Sequence, residues 1–173
     1  MGDEMRMRPV AVATSLILVV SGLAACTPRL RGELGVSVDP QGRVVGLIAV
    51  CPDAQLDHLT LTDVSQGGVP VTLRPAGDDR PDSVVLSDPG DAWTGDWPQQ
   101  PTPGRDPRAL TADHEYVLAG VLTGTGSGDG KLDGVSFVPE QVLADPQLRS
   151  GMVRTWRAGE IVSVDEFRRL DQC

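Results

Sequence analysis

The sequence predicts a mainly β protein, an antiparallel β-sandwich of about seven strands with one short C-terminal helix. Apolar segments of strand length follow one another along the chain, with turn residues between them. Long stretches of helical periodicity are missing from the pattern. The 148 residues that follow residues 1–25 suit one domain of ordinary size, so we expect a single domain over 34–173.

The predicted strands lie at 36–38, 43–51, 56–64, 69–73, 83–87, 115–123 and 135–138. The segment "RVVGLIAVC" at 43–51 is almost continuously apolar and is bounded by Gly42 and Pro52, which predicts a central, well-buried strand.

Two further strands show a clear pattern. In "LDHLTLTDV", Leu59 and Leu61 alternate with polar residues, which predicts one buried face. Val69, Val71 and Leu73 alternate in the next segment, and Pro70 indicates that this strand lies at a sheet edge.

The segments between the strands are predicted to be loops and short helices. Residues 88–108 are rich in Pro, Gly and Asp, which predicts a long loop with a weak strand around Trp93 and Trp97. The glycine-rich stretch 124–134 predicts a flexible hairpin loop.

Two helices are expected. Pro139 opens a single helical turn. Ser163 and Glu166 match a capping box, which predicts a short helix near residue 173.

One segment resembles a known family. In "LTADHEYVLAGV", Leu110 lies six residues before Tyr116, and an alternating strand follows. This pattern resembles the tyrosine corner of immunoglobulin-like and fibronectin type III domains, and the resemblance implies that the Tyr116 hydroxyl bonds to backbone upstream. The second strand departs from the family, because "GLIAVC" stands where a tryptophan is usual.

The N-terminal segment predicts export and lipid anchoring. Arg6 and Arg8 precede an uncharged apolar stretch that is too short to span a membrane and ends in small residues, which is typical of a secretory signal. Leu23-Ala-Ala-Cys26 resembles the bacterial lipobox, which implies cleavage after residue 25 and diacylglyceryl on the Cys26 thiol. The alternative is an ordinary secreted protein with an incidental cysteine.

The lipobox resemblance also implies a cellular location and a spacer between the lipid and the domain. We expect a signal peptide over 1–25, a lipidated N-terminus and spacer over 26–33, and a location on the outer face of the bacterial cytoplasmic membrane. "LAAC", "GVSVDPQGRVVGLIAVC", the Tyr116 strand and the last cysteine together resemble small lipoproteins of actinobacteria, a resemblance that implies no activity.

The other two cysteines predict a disulfide. With Cys26 lipidated, Cys51 and Cys173 form an even pair in an oxidising compartment. Neither has a neighbouring Cys or His, so metal binding is not expected.

The charge narrows the classes of partner. The formal net charge is −9, and residues 1–25 remove equal numbers of acidic and basic side chains. A nucleic-acid-binding protein normally needs a basic face, so we expect no nucleic acid. Anionic lipid would repel the chain, so the membrane is expected as a partner only through the lipid on Cys26.

No catalytic pattern emerges from the residues. His58 lies on the polar face of its strand, His114 is predicted in a turn, and no serine stands in a nucleophile elbow. "DGKLDG" at 129–134 resembles a calcium loop only weakly, because Lys131 lies between its aspartates. We expect no enzyme, no cofactor and no metal.

Trp93 and Trp97 are the candidate contact residues. They lie four apart in a polar loop and would offer aromatic area to a protein or a cell-wall glycan. The alternative is that both fold back over the sandwich. The function expected is a lipid-anchored, non-catalytic binding or support module; the alternatives are a purely structural envelope protein and an accessory subunit or hydrolase of unrecognised type.

Overall fold

The computed structural model describes residues 31–77, 80–96, 109–124, 130–157 and 159–169. The strands in this part of the chain are β1 (Gly32–Val38), β2 (Val44–Val50), β3 (Ala54–Asp63), β4 (Val71–Pro75), β5 (Ser83–Val85), β6 (Trp93–Gly95), β7 (Tyr116–Gly124), β8 (Gly130–Phe137), β9 (Met152–Thr155) and β10 (Ile161–Ser163). The helices are α1 (Pro139–Ala144), α2 (Pro146–Arg149) and α3 (Val164–Arg168).

Two antiparallel sheets of five strands each form a sandwich-like structure, which confirms the predicted mainly β class. The first sheet has the order β10-β9-β1-β2-β5, and the second has the order β6-β4-β3-β7-β8. Inward-facing aliphatic side chains from both sheets make the main core, among them Leu34, Ile48, Leu59, Leu118 and Leu122. The burial of these side chains is the main source of stability in such a fold.

The strand β2 lies inside the first sheet, between β1 and β5, and is buried on both faces. Ile48 lies in the main core, whereas Leu47 and Ala49 belong to a second, smaller core on the outer face. Phe167 of α3 covers that outer face. The continuous apolar run of β2 therefore has a partner layer on each side.

The helix α3 begins as the sequence predicts. The Ser163 Oγ accepts a hydrogen bond from the Glu166 N–H at 3.1 Å, which satisfies one of the free donors at the N-terminus. Glycine in β1 makes room for this helix, since a Cβ at Gly35 would lie 3.2 Å from the Phe167 ring.

The structure adds elements that the sequence did not predict. Ten strands are described where about seven were expected, because β9 and β10 were not predicted and β6 was expected only as a weak strand; the single turn α2 was not predicted either. The strands β9 and β10 have four and three residues, too few to show a period of two. β8 also begins at Gly130, inside the expected 124–134 loop.

Two smaller expectations differ from the structure, and a third is confirmed. The strand β1 begins at Gly32, within the expected spacer. The edge position predicted from Pro70 is wrong, because β4 begins after this proline and pairs with β6 on one side and β3 on the other. The weak strand expected near Trp93 is confirmed as β6.

Candidate functional site

Three of the predicted site residues, Cys26, Trp97 and Cys173, lie outside the described residues. Lipidation of Cys26, the pairing of Cys173 and partner contact by Trp97 therefore stay predictions. Among the described residues no helix is long and apolar enough to cross a membrane.

The predicted disulfide partner Cys51 is buried, with 2% of its surface exposed. It follows β2 directly, and its N–H donates to the Arg31 carbonyl at 2.9 Å. The side chain of Arg168, the last residue of α3, lies with its Nη2 2.6 Å from Asp82 Oδ2, and the Asp82 carbonyl accepts from the N–H of Ile48, three residues before Cys51, at 2.9 Å. The pairing of Cys51 with Cys173 stays a prediction, because Cys173 lies outside the described residues.

Trp93 lies in the core and not on the surface. Only 6% of its surface is exposed, and its indole N–H donates to the Ser83 carbonyl at 3.2 Å. The pairing of β6 with β4 turns the ring inward. This position agrees with the alternative that the tryptophan folds over the sandwich, and it leaves Trp93 too little exposed area for the partner contact that we expected.

Tyr116 makes a hydrogen bond to backbone upstream, as the resemblance implies. Its hydroxyl accepts a hydrogen bond from the Thr111 N–H at 2.9 Å, five residues upstream. Its ring stacks on Phe137 of the neighbouring strand with the centroids 5.8 Å apart. The residue therefore fixes the segment that enters β7 and has a structural role.

Each histidine is held by one carboxylate. His58 Nδ1 is 2.5 Å from Asp57 Oδ2, and Arg74 Nη1 lies 3.1 Å from the same oxygen. The hydrogen bond from His58, and then the Arg74 cation, lower the pKa of Asp57 below its usual range. Both partners stabilise the ionised carboxylate, so this group is a poor candidate for general acid chemistry at neutral pH.

The second histidine makes a separate pair. His114 Nδ1 is 2.7 Å from Asp63 Oδ2, at the C-terminal end of β3, whereas His58 lies in the middle of that strand. The part of the chain that the structure describes holds no group of three or more potential metal ligands. The two histidine–carboxylate pairs are separate from each other. Among the described residues, neither pair combines a nucleophile, a base and an orienting acid.

The structure shows an exposed apolar tip that the sequence analysis missed. We name residues 64–70, which join β3 to β4, the 64–70 tip. Val64 and Val69 are 48% and 80% exposed, although alternation with Val71 predicted that Val69 faces inward. Gly67 has a φ of 59°, and the Gly68 N–H donates to the Asp63 carbonyl at 2.9 Å. The Gly67-Gly68 and Pro70 turn signals were the clue that the strand begins only at Val71.

An apolar cleft of about 150 Å³ opens where β2 ends and β3 begins. We name it the β2–β3 cleft; apolar walls come from Ile48, Val50, Ala54, Leu56, Pro75 and Pro81. Gln55, Arg80 and Asp82 bring polar groups to its lining. No spacing in the sequence predicts this cleft, because its walls come from both sheets.

No protein-family model matches this chain, and no curated protein or solved structure is significantly similar to it.

Proposed function

We propose that this chain is a lipid-anchored protein of the bacterial envelope, held on the outer face of the cytoplasmic membrane, with a non-catalytic binding or support role. The observation that carries the proposal is Leu23-Ala-Ala-Cys26, which resembles a lipobox and lies five residues before Arg31. Since β1 begins at Gly32, a cut before Cys26 would leave the sandwich intact. Two or more acyl chains on one residue anchor a protein stably.

The fold type belongs to the same proposal. The neighbours β1-β2-β5 and β3-β7-β8 follow the A-B-E and C-F-G order of immunoglobulin-like sandwiches. The hydrogen bond to the Tyr116 hydroxyl at the start of β7 supports the assignment of a tyrosine corner. We therefore assign an immunoglobulin/fibronectin type III-like core, to which β6, β9 and β10 are additions.

The non-catalytic role is supported by the surroundings of the two histidines. His58 is paired with Asp57 and Arg74, and His114 with Asp63, at separate places on the second sheet. Neither histidine lines the β2–β3 cleft. Each histidine therefore has a partner within the protein, and its position is explained without a bound substrate.

The partner surface that we favour is the 64–70 tip, and the partner is a protein or a cell-wall glycan. Exposed aliphatic area at a loop between strands suits recognition, since loops carry binding residues on a rigid scaffold. The tip is held firmly: the Val64 N–H donates to the Glu115 carbonyl, and the Ser65 Oγ accepts from the Glu115 N–H at 2.8 Å. A loop that is already ordered in this way loses little conformational entropy when a partner binds.

The anchor is tested by the intact mass of the mature protein and by Cys26→Ala. We expect acyl chains on residue 26, and we expect the alanine variant to be released into the medium or left unprocessed. Thr27→Ala, the matched control next to the lipobox, should stay in the membrane fraction. An unmodified N-terminus at another residue would contradict the anchor.

The partner surface is tested by photocrosslinking on intact cells. A crosslinking residue at position 69 should capture a defined partner, and Val64→Ser should weaken that capture. The matched control is position 143, because Leu143 of α1 is also an exposed aliphatic residue. Equal capture from both positions would indicate nonspecific contact by exposed side chains.

A further inference from the structure

One end of the sandwich is formed by three segments that are joined by hydrogen bonds. The Cys51 N–H donates to the Arg31 carbonyl at 2.9 Å, and Arg80 Nη1 donates to the Pro52 carbonyl at 3.2 Å. The Asp82 carbonyl accepts from the Ile48 N–H near the end of β2. We name this surface, made of Arg31, residues 51–54 and residues 80–82, the proximal end.

The chain between Cys26 and Arg31 limits how far the proximal end can lie from the lipid. Five residues span at most about 18 Å when fully extended. The seven residues of β1 then lead away from this end, which adds roughly 23 Å before the opposite end of the sheet is reached. The proximal end is therefore the part of the domain that the tether holds nearest to the bilayer.

The β2–β3 cleft opens at this same end. Val50 and Ala54 line it next to the 51–54 segment, and Arg80, Pro81 and Asp82 line it from the other side. Apolar walls with polar neighbours suit the boundary between lipid head groups and hydrocarbon, where covering the walls removes apolar area from water. The Arg80 side chain can place its guanidinium among the lipid head groups while its methylene groups lie against the hydrocarbon.

The opposite end carries an excess of acidic over basic side chains. We name the turn 39–42, the 64–70 tip with its neighbours 111–115, and the region of α1 and α2 the distal end. Acidic side chains outnumber basic ones in and beside these segments among the described residues; the acidic ones are Asp39, Asp63, Asp113, Glu115, Glu140 and Asp145, and the basic ones are Arg43, Arg149 and Arg154, of which Arg43 pairs with Asp39 and Arg154 with Asp145. An anionic lipid surface repels such an end within a Debye length of about 8–10 Å.

The proximal end carries both signs of charge. Arg31 lies 3.4 Å from Asp53, and Arg168 lies 2.6 Å from Asp82. Asp78 and Asp79 precede Arg80 in the chain and lie outside the described residues. The orientation therefore follows from the short tether, the cleft and the repulsion of the distal acids, and not from strong attraction between the proximal end and the lipid.

From these observations we propose that the proximal end rests on the surface of the phospholipid bilayer, with the β2–β3 cleft covered by lipid, and that the distal end points away from the membrane. The inference depends on the proposed lipid anchor and specifies how that anchor orients the domain. It also places the 64–70 tip where a partner in the envelope can reach it.

The test is amide hydrogen exchange of the mature lipidated protein in phosphatidylcholine vesicles with added phosphatidylglycerol. The reference is the same protein with about 20 Gly/Ser residues inserted after Leu30, since a long flexible linker frees the domain from the surface. We expect several-fold slower exchange at 51–56 and 80–83 in the short-tethered protein, with no difference at 39–42 and 64–70. Equal exchange in both proteins, or protection of the 64–70 tip, would overturn the orientation.

A matched pair of variants tests the same contact. Pro81→Glu adds a negative charge at the cleft, and Pro70→Glu adds the same charge at the distal end. We expect Pro81→Glu to reduce the proximal protection about fivefold, since that is the effect of one charge near an anionic surface, and Pro70→Glu to leave it unchanged. A mass spectrum without lipid on residue 26 would instead refute the anchor itself, so the two failures are distinguishable.

Discussion

At the scale of single residues, Trp93 shows how a residue of a polar loop becomes part of the core. Its ring belongs to the main core, which also includes Leu73, Val84 and Leu86, and its indole N–H donates to the Ser83 carbonyl. We expect Trp93→Ala to lower the free energy of unfolding by about 3–5 kcal/mol, as for other buried aromatic residues. Urea unfolding followed by circular dichroism measures this change.

Thr94→Ala is the control for Trp93→Ala. Thr94 is the next residue of β6 and is exposed, so its removal should change stability by less than about 1 kcal/mol. A Trp93→Ala variant as stable as Thr94→Ala would show that the ring is not a core residue.

Glu33 is a second residue with a measurable effect, because its surroundings oppose its charge. Burial raises the pKa of its carboxyl above the usual 4.5; Arg157, whose Nε is 3.8 Å away, acts against this, and Glu160 adds to it. A carboxyl whose pKa is higher in the folded state binds its proton more tightly there than in the unfolded chain. The ionised form of Glu33 therefore costs stability above the raised pKa.

We expect Glu33→Gln to be more stable than the parent protein at pH 7, with the difference shrinking as pH falls through the raised pKa toward 4.5. Chemical unfolding at a series of pH values measures both proteins. Asp57→Asn should show the opposite sign, since the lowered pKa of Asp57 contributes stability above 3.8 that is lost as pH falls. A constant difference between Glu33→Gln and the parent across this range would contradict the assignment.

At the scale of elements, Tyr116 connects the segment 109–115 to β7. Tyr116→Phe keeps the stacking on Phe137 and removes the acceptor of the Thr111 N–H. Because Thr111 is half-buried, an unpaired N–H there should cost about 1–3 kcal/mol. Thermal unfolding of the two proteins gives the difference.

The hydrogen-exchange rate of the Thr111 amide distinguishes this cause from a general loss of packing. In Tyr116→Phe the Thr111 amide should exchange faster. The exchange rates of the β2 amides should change only as much as the overall loss of stability requires. Unchanged exchange at Thr111 would show that the hydroxyl does not hold the corner.

At the scale of the whole molecule, a Cys51–Cys173 bridge would tie the C-terminal segment after α3 to the proximal end. Closing a loop of more than 100 residues gives about 4–5 kcal/mol by chain entropy, and native strain usually lowers this to 2–4. We expect Cys51→Ala and Cys173→Ala to lose about 2–4 kcal/mol each, and to lose the same amount when combined, measured by guanidinium unfolding.

Cys26→Ala is the matched control, since removing a thiol that carries lipid should leave the unfolding of the domain unchanged. Peptide mass spectrometry without reductant should find Cys51 linked to Cys173 in natively exported protein. Alkylation of both thiols in that material would refute the bridge.

The residue pattern by itself determined the elements whose two faces differ or whose ends are marked locally. The apolar run of β2, the alternation of β3 and β7, the Ser163 cap and the Tyr116 corner all follow from residues close together in the chain. The lipobox prediction at Cys26 is likewise a property of a short segment, which is why it needs no fold to be stated.

The tertiary structure alone decided the burial of Trp93, the exposure of Val69, the strands β9 and β10, and the proximal end. β9 exists because it pairs with β1, and Ser37 Oγ donates to the Met152 carbonyl across a separation of 115 residues. The β2–β3 cleft likewise needs β2 and β3 from different sheets to face each other. A local sequence pattern indicates which residues alternate between buried and exposed. Short strands and surfaces at the ends of sheets are stabilised instead by contacts with residues distant in sequence, and a local pattern does not predict those contacts.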